Sequence, residues 1–196
     1  MELASPKIQY RRESIFDRIC FDGWACSKIQ QLMKLAFDNP VDDYFQLSDV
    51  QIKEGLEASR QSPRKRMILP IHRKQNAEVQ RLINFLQPGT YIRPHKHPMD
   101  HATESIVILK GSIRFFTLDD EGSALTDQIL KSTPIPAVID IEPNIWHTFI
   151  VMEEDTILFE CKKGPYNAET DKLFAKWIPD ESESNALQKL KKHLNL

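Results

Sequence analysis

From Met67 onward the chain alternates short apolar runs with turn residues at close spacing. Seven runs read as strands: MILPIH (67–72), VQRLINFL (79–86), ESIVILK (104–110), SIRFFTL (112–118), AVIDI (137–141), HTFIVM (147–152) and TILFEC (156–161). β-Branched and aromatic residues fill these runs, and Gly, Pro, Asn and Asp separate them. No long amphipathic helix lies between them. The pattern therefore predicts an antiparallel sandwich or barrel rather than βαβ units. Asp119-Asp120-Glu121-Gly122 signals a hairpin and Glu153-Glu154-Asp155 a further turn. Pro134 and Pro136 mark a loop or sheet edge before the 137–141 run.

The two ends of the chain carry helical periodicity instead. Trp24 to Phe37 places Ile29, Leu32, Met33, Leu35 and Ala36 at roughly helical spacing, and Asn39-Pro40 ends the run. Leu47 to Gln61 opens on a Ser48/Asp49 capping signal and predicts a second helix. Ala168 to Trp177 predicts a short helix stopped by Pro179. Glu181 to Leu194 predicts another, whose apolar stripe of Leu187, Leu190 and Leu194 docks on the body of the protein. The chain divides accordingly into an N-terminal helical extension packed on the barrel (1–61), a barrel domain (62–179) and a C-terminal helix (180–196).

Charge narrows the function. Lys and Arg number 26 against 28 Asp and Glu, a net charge of −2, which offers no basic excess for nucleic acid. No apolar run approaches the roughly 20 residues that span a bilayer, so no membrane partner is expected. The first 20 residues are too polar for a signal peptide. Cys20, Cys26 and Cys161 form no CxxC pair and read as reduced thiols of a cytoplasmic protein.

The candidate chemistry lies between Gly89 and Gly111, in GTYIRPHKHPMDHATESIVILKG. His95 and His97 are two apart, so on a strand both rings leave one face. Glu104 opens the next strand, antiparallel to the first, and its carboxylate can reach across. His147, in the Trp146-His147 pair, adds a third imidazole. Three imidazoles and a carboxylate suit one divalent transition metal, with Zn²⁺, Fe²⁺, Mn²⁺, Co²⁺ and Ni²⁺ all compatible.

The spacing Gly89-x5-His95-x-His97-x6-Glu104-x6-Gly111 resembles the first motif of the cupin superfamily, whose gap between second His and Glu is usually two or three residues shorter. Glu142-Pro143-Asn144-Ile145-Trp146-His147 is similar to the second motif. Asn144 replaces its turn glycine, a tolerable change because Asn accepts φ > 0. Val151 stands where that motif has Asn. SPRKR (62–66), VQRLIN (79–84), LQPGTYIRPHKH (86–97), WHT (146–148) and GPYNAETDKLFAKWIP (164–179) together resemble the WbuC family of cupin-fold metalloproteins, over about 115 residues. The resemblance implies a mostly β fold, a small antiparallel barrel or jelly roll, with a His3Glu metal site. It also implies a place among genes for O-antigen or other surface polysaccharide synthesis, and a homodimer.

Flanking residues complete the expectation. His101 follows His97 by four residues, where the superfamily motif expects a carboxylate, but only Glu104 keeps the spacing to Gly111. His101 is therefore read as a pocket-edge residue able to shuttle a proton. His72 is a second candidate base, with a structural histidine as the alternative. Arg93 and Tyr91 are candidates for substrate binding beside the ligand strand, and so are Arg64 and Arg66 of the basic cluster, each with surface or packing roles as the alternative. Tyr166 and Asp171 are motif members, Tyr166 a further candidate for contact with substrate. Trp146 is expected to pack in the core. The functional expectation is a metal-dependent isomerase or epimerase of a sugar, sugar phosphate or sugar nucleotide. An Fe²⁺ dioxygenase and a non-catalytic metal-containing sugar-binding module are the alternatives.

Overall fold

The computed structural model describes residues 35–196. Most of the first expected helix, together with Cys20 and Cys26, lies outside the described residues. Its last residues are not helical: Ala36 forms an isolated parallel bridge with Ile68, and Phe37 N donates to Ile68 O at 2.8 Å. The second helix forms as α1 (Asp49–Gln61). Ser48 caps it in a capping box with Gln51, satisfying two otherwise orphaned backbone donors.

Ten strands follow. They are β1 (Arg66–Pro70), β2 (Val79–Leu86), β3 (His95–Lys96), β4 (Glu104–Lys110), β5 (Ser112–Leu118), β6 (Ala124–Lys131), β7 (Val138–Ile141), β8 (Trp146–Val151), β9 (Thr156–Lys163) and β10 (Leu173–Phe174). They build two five-stranded antiparallel sheets, ordered β1-β2-β9-β4-β7 and β10-β3-β8-β5-β6. This is a mostly β, jelly-roll arrangement, and the fold class expected from the chain. β7 closes one sheet as an edge strand after the proline-rich loop.

Alternation decides the layers. Leu86, Ile106, Ile108, Ile141 and Leu158 of one sheet meet Ile113, Phe115, Phe149 and Val151 of the other in the interior. The opposite side of β5 carries Phe116 and Leu118, which pack with Ile150 under Ala175, Ile178, Leu190 and Leu194. Both faces of β5 are thus covered, which is why SIRFFTL shows no clean alternation. The C-terminal helix α2 spans Ala186–His193, shorter than expected, and docks by Leu190 and Leu194 as its stripe predicted.

Two expectations are corrected. Ala168 to Trp177 is not a helix; a turn at 168–170, where Thr170 N and Asp171 N both donate to Asn167 O, is followed by Leu173–Phe174, which form β10 because their backbone pairs with His95 and Lys96 instead of continuing the turn. β6 was not foreseen. Its side chains are almost all exposed, so ALTDQILK carries no period-2 apolar signal.

The outer face of the β1–β2–β9 region packs Leu69, Ile83, Phe85 and Ile157 under Leu56 of α1. Contact is close at Gly55, where an added Cβ would lie 2.5 Å from Phe85 Cζ, a ring with no exposure. Alanine in a helix is normally favoured over glycine by about 1 kcal/mol. Here the overlap dominates, since overpacking costs about 1–3 kcal/mol and the ring has no room to move. Gly55→Ala is expected to destabilise the protein by about 1–2 kcal/mol. Urea denaturation checks the sign.

Candidate metal centre

The ligand strand is short for a reason. Pro94 and Pro98 flank His95–Lys96–His97, and proline cannot donate to a ladder, so pairing is confined to the centre. β3 pairs with β8 at one position, His95 against His147. The turn before β8 carries Asn144 at φ +67°, the left-handed position expected of it, and Asn144 N donates to His97 O at 2.9 Å. The second motif is therefore bonded directly to the first. Across the interior, Glu104 opens β4 on the facing sheet.

His95, His97, Glu104 and His147 are all buried, and one ligand atom from each lies within 4.8 Å of the others. His95 and His147 ring centroids are 4.4 Å apart, His95 and His97 5.3 Å. Each Nδ1 meets a backbone carbonyl: Arg93 O at 2.9 Å for His95, Asp171 O at 2.6 Å for His97 and Ile145 O at 2.9 Å for His147. A carbonyl only accepts, so Nδ1 carries the proton and Nε2 presents its lone pair to the cluster. The three Nε2 atoms are buried and make no hydrogen bond. Those of His97 and His147 face Glu104 oxygens at 3.5 and 3.2 Å.

Acceptor facing acceptor at these distances demands positive charge between them, either protons or a shared cation. Burial, followed by the nearby Lys172 and His147, holds His95 well below the usual histidine range, so that ring is neutral. Burial alone would push Glu104 up, but its contacts with His147 and His97 outweigh it and keep the carboxyl well below its usual range. Oriented neutral imidazoles around an ionised carboxylate are the donor set of a divalent transition metal. The residues fit the metal expected from the sequence, although nothing in the donor set selects among Zn²⁺, Fe²⁺, Mn²⁺, Co²⁺ and Ni²⁺.

The wall beside Glu104 is polar, and sequence reasoning missed it. On β9, Glu160 lies opposite Ile106 and Lys162 opposite Glu104, both on the inward side. Asn84 Nδ2 donates to Glu160 Oε2 at 3.0 Å. Burial, with the Glu104 charge adding to it, pushes the Glu160 carboxyl up to about 7. Lys162 Nζ donates to both Asp171 carboxylate oxygens, at 2.8 and 2.6 Å. The available signal was Glu160-x-Lys162 on one face of a strand whose other inward residue, Leu158, is core.

The other candidates fall elsewhere. Arg64 and Arg66 both bind Glu181, each at 2.9 Å, and Arg66 Nη1 donates to Tyr91 O at 2.5 Å. Arg93 pairs with Asp180 at 2.8 Å and donates to Ala175 O at 2.8 Å, while Tyr91 OH donates to Pro179 O at 2.7 Å. Apart from the Arg66–Tyr91 backbone bond, the polar contacts of these four side chains clamp the 175–181 segment to the barrel. Burial pushes Tyr91 up to about 12 and, with Arg64 adding, lowers Arg66 to about 10. His72 is buried next to β1 with Nδ1 against the Arg81 backbone at 3.0 Å, and β2 and β9 separate β1 from Glu104's strand. That is a structural position rather than the expected base. His101 is exposed at φ +61° in the β3–β4 turn, outside the cluster. Tyr166 is half exposed, with Lys162 Nζ 5.8 Å from its ring centroid. Trp146 is partly buried on the outer side of its sheet and donates to Asp120 at 2.7 Å.

A family model described as a domain of unknown function (DUF6016) matches residues 47–130, a span that includes His95, His97 and Glu104 but not His147. No curated protein matches the sequence. Solved structures with a similar fold include an oxalate decarboxylase from Bacillus subtilis, with 15% identity and a TM-score of 0.41 over 50% of this chain and 24% of that one. An oxalate oxidase gives 17% identity and 0.46 over 62% and 61%, and KdgF from Halomonas sp. 10% and 0.35 over 53% and 82%. The chain thus spans about a quarter of the length of the oxalate decarboxylase. Among the described residues no helix is long and apolar enough to cross a membrane. Two facing antiparallel sheets with a buried His3Glu set between them make this a jelly-roll β protein with a cluster fit to bind a metal.

Proposed function

We propose that the protein is a metal-dependent enzyme that moves a proton on a sugar or sugar nucleotide, an isomerase or epimerase acting in surface polysaccharide (O-antigen) synthesis. The observation that carries this reading is Glu160, an inward-facing carboxyl on the strand next to Glu104 that is not one of the four ligands. A bound divalent metal would supply Lewis-acid polarisation of a substrate carbonyl or hydroxyl oxygen. Glu160, fixed by Asn84, takes the proton from the adjacent carbon and returns it to the substrate. It replaces His101 and His72 in the role of base. Lys162, held by Asp171, offsets negative charge on that wall. The place in polysaccharide synthesis rests on the resemblance to the WbuC family, which also implies a homodimer, and the cytoplasmic location rests on the cysteine usage.

Metal-loaded protein incubated in D₂O with a panel of sugar phosphates and nucleotide sugars tests the reading by proton NMR. An isomerase or epimerase introduces solvent deuterium at the carbon beside the carbonyl, and Glu160→Gln stops the exchange while keeping the metal. Oxygen uptake without exchange would instead establish the dioxygenase. A saccharide that binds and returns unchanged would establish the binding module.

A further inference from the structure

One cation near the metal centre has no partner of its own. Phe174 pairs with His95 between β10 and β3, and the two ring centroids lie 6.0 Å apart, so Phe174 faces the ligand histidines. Lys172 stands two residues earlier, between the bend at Asp171 and the start of β10. Asp171, beside it, is held twice: its carbonyl by His97 Nδ1 and its carboxylate by Lys162. Lys172 is therefore set between two residues that touch the centre.

The basic residues around it are engaged. Lys162 is bound to Asp171, Arg64 and Arg66 to Glu181, and Arg93 to Asp180. The half-buried Lys172 ammonium makes no hydrogen bond or ion pair among the described residues. Its field still reaches His95, Glu104 and Glu160. Glu104 supplies a single negative charge to the centre, so a divalent cation together with the Lys172 ammonium leaves net positive charge there, which favours a further anion beside them. The hydrogen bond to the Asp171 carbonyl and the pairing of β10 with β3 keep the root of the Lys172 side chain beside the centre.

We propose that Lys172 is the anion receptor of the metal centre, so that the substrate carries an oxyanion group, carboxylate or phosphate, next to its reacting carbon. This deepens the function proposed above and rests on the cluster being a metal centre. It favours sugar acids and sugar phosphates over neutral sugars. Lys172 supplies the charge that holds the anionic group, while Glu160 on the facing wall is left to the proton.

The test uses the full-length protein loaded with Co²⁺, whose visible spectrum reports changes at the centre. Sodium acetate and inorganic phosphate are titrated separately into the wild type, Lys172→Met and Lys172→Arg. At least one anion is expected to perturb the wild-type spectrum, and which one does so separates carboxylate from phosphate. Lys172→Met should weaken that anion roughly tenfold or more, with cobalt content and melting temperature unchanged. Lys172→Arg should stay within about threefold of the wild type, because the charge is kept. Equal anion affinity in Lys172→Met, or no response of the cobalt-loaded wild type to either anion, overturns the proposal and leaves the metal centre standing. Should Lys172→Met load poorly, an unaltered anion affinity in Lys172→Gln overturns it equally. A wild type that takes up no cobalt overturns the metal centre itself, and the receptor with it.

Discussion

Replacing His97 with alanine is expected to strip the protein of metal, with affinity falling by more than about 100-fold, beyond the range seen when only a ligand's outer partner is removed. The argument is one of charge and geometry. His97 presents a buried, unbonded Nε2 3.5 Å from Glu104 Oε1, and its Nδ1 is fixed by the Asp171 carbonyl. Three protein donors remain in the variant. Metal also binds only the folded state, so it adds about 4 kcal/mol when present at roughly 1,000 times its Kd. Chelation should therefore lower the wild-type melting temperature by on the order of 10 °C, and hardly alter that of His97→Ala. Elemental analysis after anaerobic purification, paired with thermal melts with and without chelator, measures both effects. Equal metal content in the two proteins would remove the site assignment.

Asp171→Ala is expected to cost about 3 kcal/mol of stability, because it leaves the buried Lys162 ammonium without its main hydrogen-bonded partner. Removing one member of a buried ion pair is more damaging than removing both, since the remaining charge stays desolvated. Glu160 and Glu104 recover part of the loss, as both already act on Lys162 and, with Asp171, outweigh the burial that would lower its pKa. A second effect runs through the backbone. The Asp171 carbonyl orients His97, so loosening the segment should weaken metal binding by about tenfold, the lower end of what such outer partners contribute. Asp171→Asn keeps an acceptor for Lys162 and should lose less of both. Chemical denaturation and competitive metal titration separate the two effects. A stability within about 0.5 kcal/mol of wild type, the range of ordinary surface changes, would show that the pair contributes little.

The strands were legible where one face is buried or both are. ESIVILK, SIRFFTL and VQRLINFL appear with the bounds their apolar runs suggested. Glycine and asparagine turns were legible as well, because a positive φ restricts residue type: Gly89, Gly111 and Asn144 all take it. β6 was not legible, as an exposed edge strand needs no apolar face. Neither was β10, whose two residues pair with β3 through backbone groups that are the same in every sequence. The helix expected over Ala168 to Trp177 failed for that reason.

The same division runs through the site. Three of the four ligands follow from local sequence, since two histidines at a spacing of two must share a strand face and glycines on either side locate the turns that bring Glu104 opposite them, while His147 joins through the pairing of β3 with β8. So does the fold class, through the period of the apolar residues. What surrounds the ligands depends instead on long-range packing. Arg64, Arg66 and Arg93 read as anion binders because a sequence shows their charge but not their partners, and Asp180 and Glu181 lie more than 80 residues away. Glu160, Lys162 and Lys172 reach the centre through strand register across the barrel, far from His95 and His97 along the chain. Register is set by how whole sheets bury their faces, and no local stretch of sequence contains it.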